Sequence, residues 1–99
     1  MITQNAIPKE RIVEFCQRHH IRKLALFGSA LRDDFRVDSD LDVLVEFEPQ
    51  HVPGLAFFAM EQELAQIFGR KVDLNTLNFI SADFRKEIQA KALVLYEQA

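Results

Sequence analysis

Apolar residues first recur at helical spacing after Pro8, where Ile12, Phe15, Cys16 and His19 line up on one side of the chain. Proline suits a first helical turn, so the pattern predicts a helix from Pro8 to about His19. Leu24-Ala25-Leu26-Phe27 is a continuous apolar run closed by Gly28, as in a short buried strand. Ser29 to Asp34 reads as a short helix or turn. The period then becomes two. Leu41, Val43, Val45 and Phe47 point one way, and Asp40, Asp42, Leu44 and Glu46 the other, which predicts a strand from Asp40 to Phe47 with a buried face and a partly polar face.

The longest helix is predicted from Pro53 to Phe68. Phe57, Glu61 or Met60, Leu64 and Phe68 keep its period, and Gly69 stops it. Val72-Asp73-Leu74-Asn75 is a second alternating strand. Ser81 can cap a helix carrying Phe84, Ile88 and Ala92, and Leu93 to Tyr96 is either a last strand or the end of that helix. This order predicts an α+β fold rather than a strictly parallel α/β one: a small mixed sheet with helices on one face and an open face bearing aspartates. The chain has no repeat, low-complexity tract or Pro/Gly/Ser linker, so residues 1–99 are expected to form a single domain.

Composition narrows the function classes. No apolar run approaches the ~20 residues that span a bilayer, and the N-terminus lacks the basic start and apolar stretch of a signal peptide. The lone Cys16 cannot form an internal disulfide, so a reducing cytoplasm is the expected compartment. A net charge of −3 argues against stable binding to nucleic acid through a basic face. The distribution says more. Asp33 to Glu48 holds seven acids and one base, net −6, while the other residues hold eleven bases and eight acids, net +3. Carboxylates crowded in this way repel one another unless solvent or a cation relieves them.

Three short pieces carry chemistry. Gly28-Ser29 ends a strand where a helical turn begins: glycine lets backbone approach a ligand, helix-start amides favour phosphate, and Ser29 adds a hydroxyl. Asp40-Leu41-Asp42 places two carboxylates on one strand face, hard oxygen donors suited to magnesium with a triphosphate. Taken singly, these are also an ordinary turn and an acidic strand edge that discourages aggregation. Asp73 has the phase of Asp42 on its own strand. If the two strands are neighbours, Asp73 joins the aspartates and can serve as general base toward a hydroxyl; alone it is an ordinary exposed strand residue.

Gly28-Ser29, ten residues, Asp40-Leu41-Asp42 and a later-strand Asp73 together resemble the signature of the DNA polymerase beta-type nucleotidyltransferase superfamily. The runs Leu26 to Arg32 and Asp38 to Phe47, with Lys71-Val72-Asp73-Leu74 and Val94-Leu95-Tyr96-Glu97, are similar to its minimal nucleotidyltransferases, and the likeness extends over nearly the whole chain from Ile21 onward. The resemblance implies a polymerase beta-like fold that binds ATP with magnesium, two ions being usual. It implies Gly28, Ser29 and Arg32 on the triphosphate, Asp40 and Asp42 as metal ligands, and Asp73 completing the metal and catalytic set on the acceptor side. It further implies transfer of AMP to a tyrosine of a HEPN-domain toxin by an antitoxin, and so a hetero-oligomer. Asp33 departs from the glycine common in the family at that place and brings a charge near the phosphate loop.

Two readings of different class follow: an ATP-dependent nucleotidyltransferase, and a binding module that neutralises a toxin by contact. A third is the substrate-binding fragment of a split transferase. The survival of all three carboxylates favours the enzyme. His19 and His20 are assigned to a helix end rather than a metal, Cys16 to the core, and His51 to a loop after the second strand. Phe57 and Phe58, adjacent on a helix, cannot both face one core, which leaves one for a partner.

Overall fold

The computed structural model describes residues 2–36 and 38–98. Helix α1 (Lys9–Arg18) follows Pro8 and buries Ile12, Phe15 and Cys16, the stripe its period marks. Burial pushes the Cys16 thiol up to about 12, so it is inert packing. Strand β1 (Ile21–Phe27) begins before the apolar run that announced it. Its first turn of charge is neutralised across the sheet: Arg22 pairs with Glu46, and Lys23 lies 3.7 Å from Glu97.

A 3-10 turn at Gly28–Leu31 leads toward β2 (Leu41–Phe47). Helix α2 (Ala56–Phe68) starts later than its apolar period suggests, because Pro53-Gly54-Leu55 form turns ahead of it. Gly69 ends it in the left-handed region at φ +69, where glycine carries no side-chain penalty. Met60, Leu64 and Ile67 face the core, which leaves Glu61 free to point elsewhere. Strand β3 (Val72–Asn75), a 3-10 turn at Leu77–Phe79, helix α3 (Ala82–Lys91) and strand β4 (Leu93–Glu97) complete the order. The segment from Leu93 is therefore a strand. Helix α3 buries none of its residues: Phe84 is 58% exposed, and the expected apolar stripe meets no core.

The sheet runs β3-β2-β1-β4, with β1 antiparallel to both β2 and β4, and β2 parallel to β3. It is mixed, as the sequence predicts. Leu24, Leu26, Leu41, Val43 and Val45 join Phe15, Met60 and Leu64 in the main core. Ala25 and Leu44 pair across the opposite face and are also buried, so the face expected to be open is closed over its middle. Among the described residues no helix is long and apolar enough to cross a membrane.

Strand direction positions the site. The C-terminal end of β1 and the N-terminal ends of β2, β3 and β4 meet at one end of the sheet, since Phe27 pairs with Asp42, Asp42 with Asp73, and Leu26 with Leu93. His20 and His51 lie at the other end, where Ile21 pairs with Phe47; their rings stack 4.0 Å apart.

Candidate active site

Backbone pairing brings Asp42 and Asp73 together. They are Cα partners in a parallel pair, and partners in register project from the same face. The bond from Leu41 N–H to Lys71 O, 2.9 Å, locks the two strand starts. Asp40 precedes β2, more exposed than Asp42, with Lys71 Nζ 3.8 Å from its carboxylate.

Gly28 sits directly against this pair. Its φ of +65 is a left-handed conformation, and a Cβ built on it would stand 2.5 Å from Asp42 Oδ2 and 3.3 Å from Asp42 Cγ. Only a residue without a side chain lets the turn close on the carboxylate. The Ser29 backbone amide donates to that carboxylate, and Ser29 Oγ donates to Asp40 O at 3.1 Å. The serine thus ties the turn to the aspartate strand. Burial pushes the Asp42 carboxyl above its usual range; the Ser29 amide opposes this, Asp73 and Asp40 add to the rise by repulsion, and Arg32 offsets part of it.

Arg32 also lies 3.4 Å from Asp34, and with Gly28 it lines a cavity of about 670 Å³. Asp33 is exposed and lies outside the lining of that cavity. His51, stacked on His20, is held away from the carboxylates. His19 hydrogen-bonds Glu63 at 3.0 Å at the end of α1.

Two supporting residues escape a reading of the sequence. Glu61 of α2 accepts a 2.8 Å hydrogen bond from Leu74 N–H, fixing the edge strand next to Asp73. Arg70 donates to Arg36 O at 3.0 Å and Ser39 O at 3.3 Å while its guanidinium covers the Phe35 ring, anchoring the acidic loop before Asp40. Arg70 gives no periodic signal, since its targets are backbone carbonyls over thirty residues away. Glu61 gives a partial one, as a carboxylate interrupting an apolar stripe.

Among the described residues no group of three His, Cys, Asp or Glu side chains is drawn together tightly enough to hold a metal by itself. The donor set nevertheless fits magnesium, which keeps several waters and takes one or two carboxylates plus substrate phosphates. Asp42, raised in part by two like-charged neighbours, is the position a divalent cation would relieve.

A Gly-Ser turn packed on an Asp-X-Asp strand, with a third carboxylate in register on a mixed sheet, defines a nucleotidyltransferase. Residues 10–99 match the polymerase beta nucleotidyltransferase family, and the chain belongs to it. The protein adenylyltransferase MntA of Thermococcus cleftensis is 33% identical over 76 residues, which cover 76% of this chain and 75% of the relative. A solved structure assigned as a minimal nucleotidyltransferase superposes with TM-score 0.71 at 29% identity, covering 86% of each chain. A complex of the tri-AMPylated Shewanella oneidensis HEPN toxin with an MNT antitoxin matches with TM-score 0.60. It is 21% identical, covers 91% of this chain and 70% of that one, and so is a likeness of fold.

Proposed function

We propose that the chain transfers AMP from ATP, with magnesium, to a hydroxyl group, a tyrosine of a partner HEPN-type toxin, and so acts as its antitoxin. The observation that carries the reading is the register Phe27–Asp42–Asp73 with Gly28 closed against Asp42. It aligns the Gly28 turn, the Asp42 carboxylate and Asp73 across three adjacent strands, which supports a phosphate-approach turn, a metal ligand and a base in those roles. The adenylyltransferase name of the Thermococcus relative and the AMPylated toxin beside the Shewanella antitoxin support the choice of nucleotide and partner.

Asp40 and Asp42 would hold magnesium, which when bound supplies charge neutralisation and polarises the α-phosphate. Gly28 lets the triphosphate approach the backbone, Arg32 contributes positive charge toward it, and Ser29 would turn its hydroxyl from Asp40 O to a phosphate oxygen. Asp73 lies on the acceptor side and takes the proton of the attacking hydroxyl. The hydroxyl oxygen forms a bond to the α-phosphorus, the bond from that phosphorus to its bridging oxygen breaks, and pyrophosphate leaves with the electron pair.

The test co-expresses the chain with a candidate HEPN-type toxin and follows growth together with the partner's intact mass. Wild type should protect cells and add ~329 Da per AMP, a mass set by covalent chemistry. Asp73→Asn should keep ATP and partner binding but lose ~10²–10⁴-fold in transfer, the usual contribution of a general base. Full protection by Asp73→Asn without added mass would instead mean neutralisation by contact.

A further inference from the structure

Acceptor and leaving group occupy opposite sides of a phosphorus undergoing in-line displacement. On the reading above, the acceptor enters from the Asp73 side, at edge strand β3. The sheet order β3-β2-β1-β4 then sends the departing pyrophosphate across β1 toward β4. The cavity that begins at Gly28 lies on that side. Its walls include Phe27, Leu31, Ile88 and Leu93, and its charged groups are Arg32, Lys91 and Glu87.

We infer that Lys91 binds the β- and γ-phosphates of the nucleotide and, after transfer, the departing pyrophosphate. Three observations support it. Lys91 closes α3 just before Leu93, which pairs with Leu26 beside Phe27, so the chain itself delivers its ammonium to the catalytic end of the sheet. Arg32 and Lys91 line the same cavity, so a polyphosphate seated in it meets two cations, with Glu87 the opposing charge. Lys91 Nζ lies 3.0 Å from Glu87 Oε1, with the two side chains 72% and 61% exposed. An exposed pair of this kind is weak and is readily exchanged for a polyvalent phosphate. Lys91 also closes α3, where a cation suits the helix dipole and needs no ligand.

The whole purified chain is titrated calorimetrically with ATP and with inorganic tripolyphosphate in magnesium buffer, and with AMP by NMR. Lys91→Gln should weaken ATP and tripolyphosphate on the order of tenfold, the scale of one charge-assisted hydrogen bond, and leave AMP unchanged. Lys91→Arg should restore most of the affinity, and Glu87→Gln should tighten both polyphosphates by freeing the ammonium. Thermal melts check that each variant folds. Equal ATP affinity in Lys91→Gln and wild type overturns the assignment, and an equal loss for AMP and ATP overturns it too, by placing the nucleoside in the cavity. A wild type that binds neither ATP nor tripolyphosphate removes the nucleotidyl-transfer reading itself, so the two failures are distinct.

Discussion

Replacing Gly28 with alanine tests the closest packing in the site. Two costs arise. A side chain at φ +65 sits in the left-handed region, worth ~1–2 kcal/mol against an L-residue. The new Cβ also falls 2.5 Å from Asp42 Oδ2, where ordinary contact starts at about 3.4 Å, so the carboxylate must retreat by several tenths of an ångström or the turn must open. Either movement breaks the bond from the Ser29 amide or carries Asp42 toward Asp73, whose charge already raises its carboxyl. A total near 2 kcal/mol lowers the melting temperature by roughly 8–16 °C in a chain of this size. Displacing a catalytic group by ~1 Å costs ~10²-fold in rate, so transfer should fall further than stability implies.

The decisive measurement is a double-mutant cycle with Asp42→Ala, read by urea denaturation. In that background the nearest remaining atom to the new methyl is the Cβ at position 42, 3.6 Å away and an ordinary contact. Gly28→Ala should then cost ~1 kcal/mol less than in wild type, within the coupling expected of touching residues. Equal costs in the two backgrounds would refute the packing argument. So would wild-type transfer by Gly28→Ala alone.

Asp42→Asn should melt at or above the wild-type temperature at neutral pH while transfer falls ~10²-fold or more. The sign follows from the raised carboxyl: ionisation is harder in the folded than in the unfolded chain, so the charge destabilises the fold above the raised pKa, and the penalty disappears as pH falls through it. The stability gap should therefore close on acidification, and a lower melting temperature for Asp42→Asn at pH 7 contradicts the account. Glu61→Ala, by freeing Leu74 N–H, should cost ~1 kcal/mol and lower transfer more than ATP affinity, measured by denaturation and calorimetry. Equal effects on transfer and ATP binding would show that Glu61 does not act through β3.

Much of this site's geometry was legible because it follows local periodicity. The alternation Leu41-Asp42-Val43 and Val72-Asp73-Leu74 fixes which way each carboxylate faces, whatever the rest of the chain does. Gly28 stands out in the sequence as a position for close backbone approach, but not as the neighbour of Asp42, because that contact depends on β1 and β2 pairing across fourteen residues. The adjacency of β2 and β3 was a condition the sequence posed and left open. Helix α3 shows the opposite failure. Phe84 and Ile88 share one side of the expected helix, yet α3 buries no residue, since an apolar period states only which residues share a side and not whether anything lies against it.

The bond between Glu61 and Leu74 bears on how an acceptor can arrive. β3 is an edge strand, and an edge with free amides invites a partner's backbone to pair with it. Here the amide next to Asp73 is already occupied by a carboxylate from the connecting helix. A strand docking at that point would have to displace Glu61 and leave its half-buried charge without a donor. The edge is stoppered from within, so on the proposed reading a hydroxyl would reach Asp73 from above the sheet, on a side chain of a partner whose own backbone stays clear of β3.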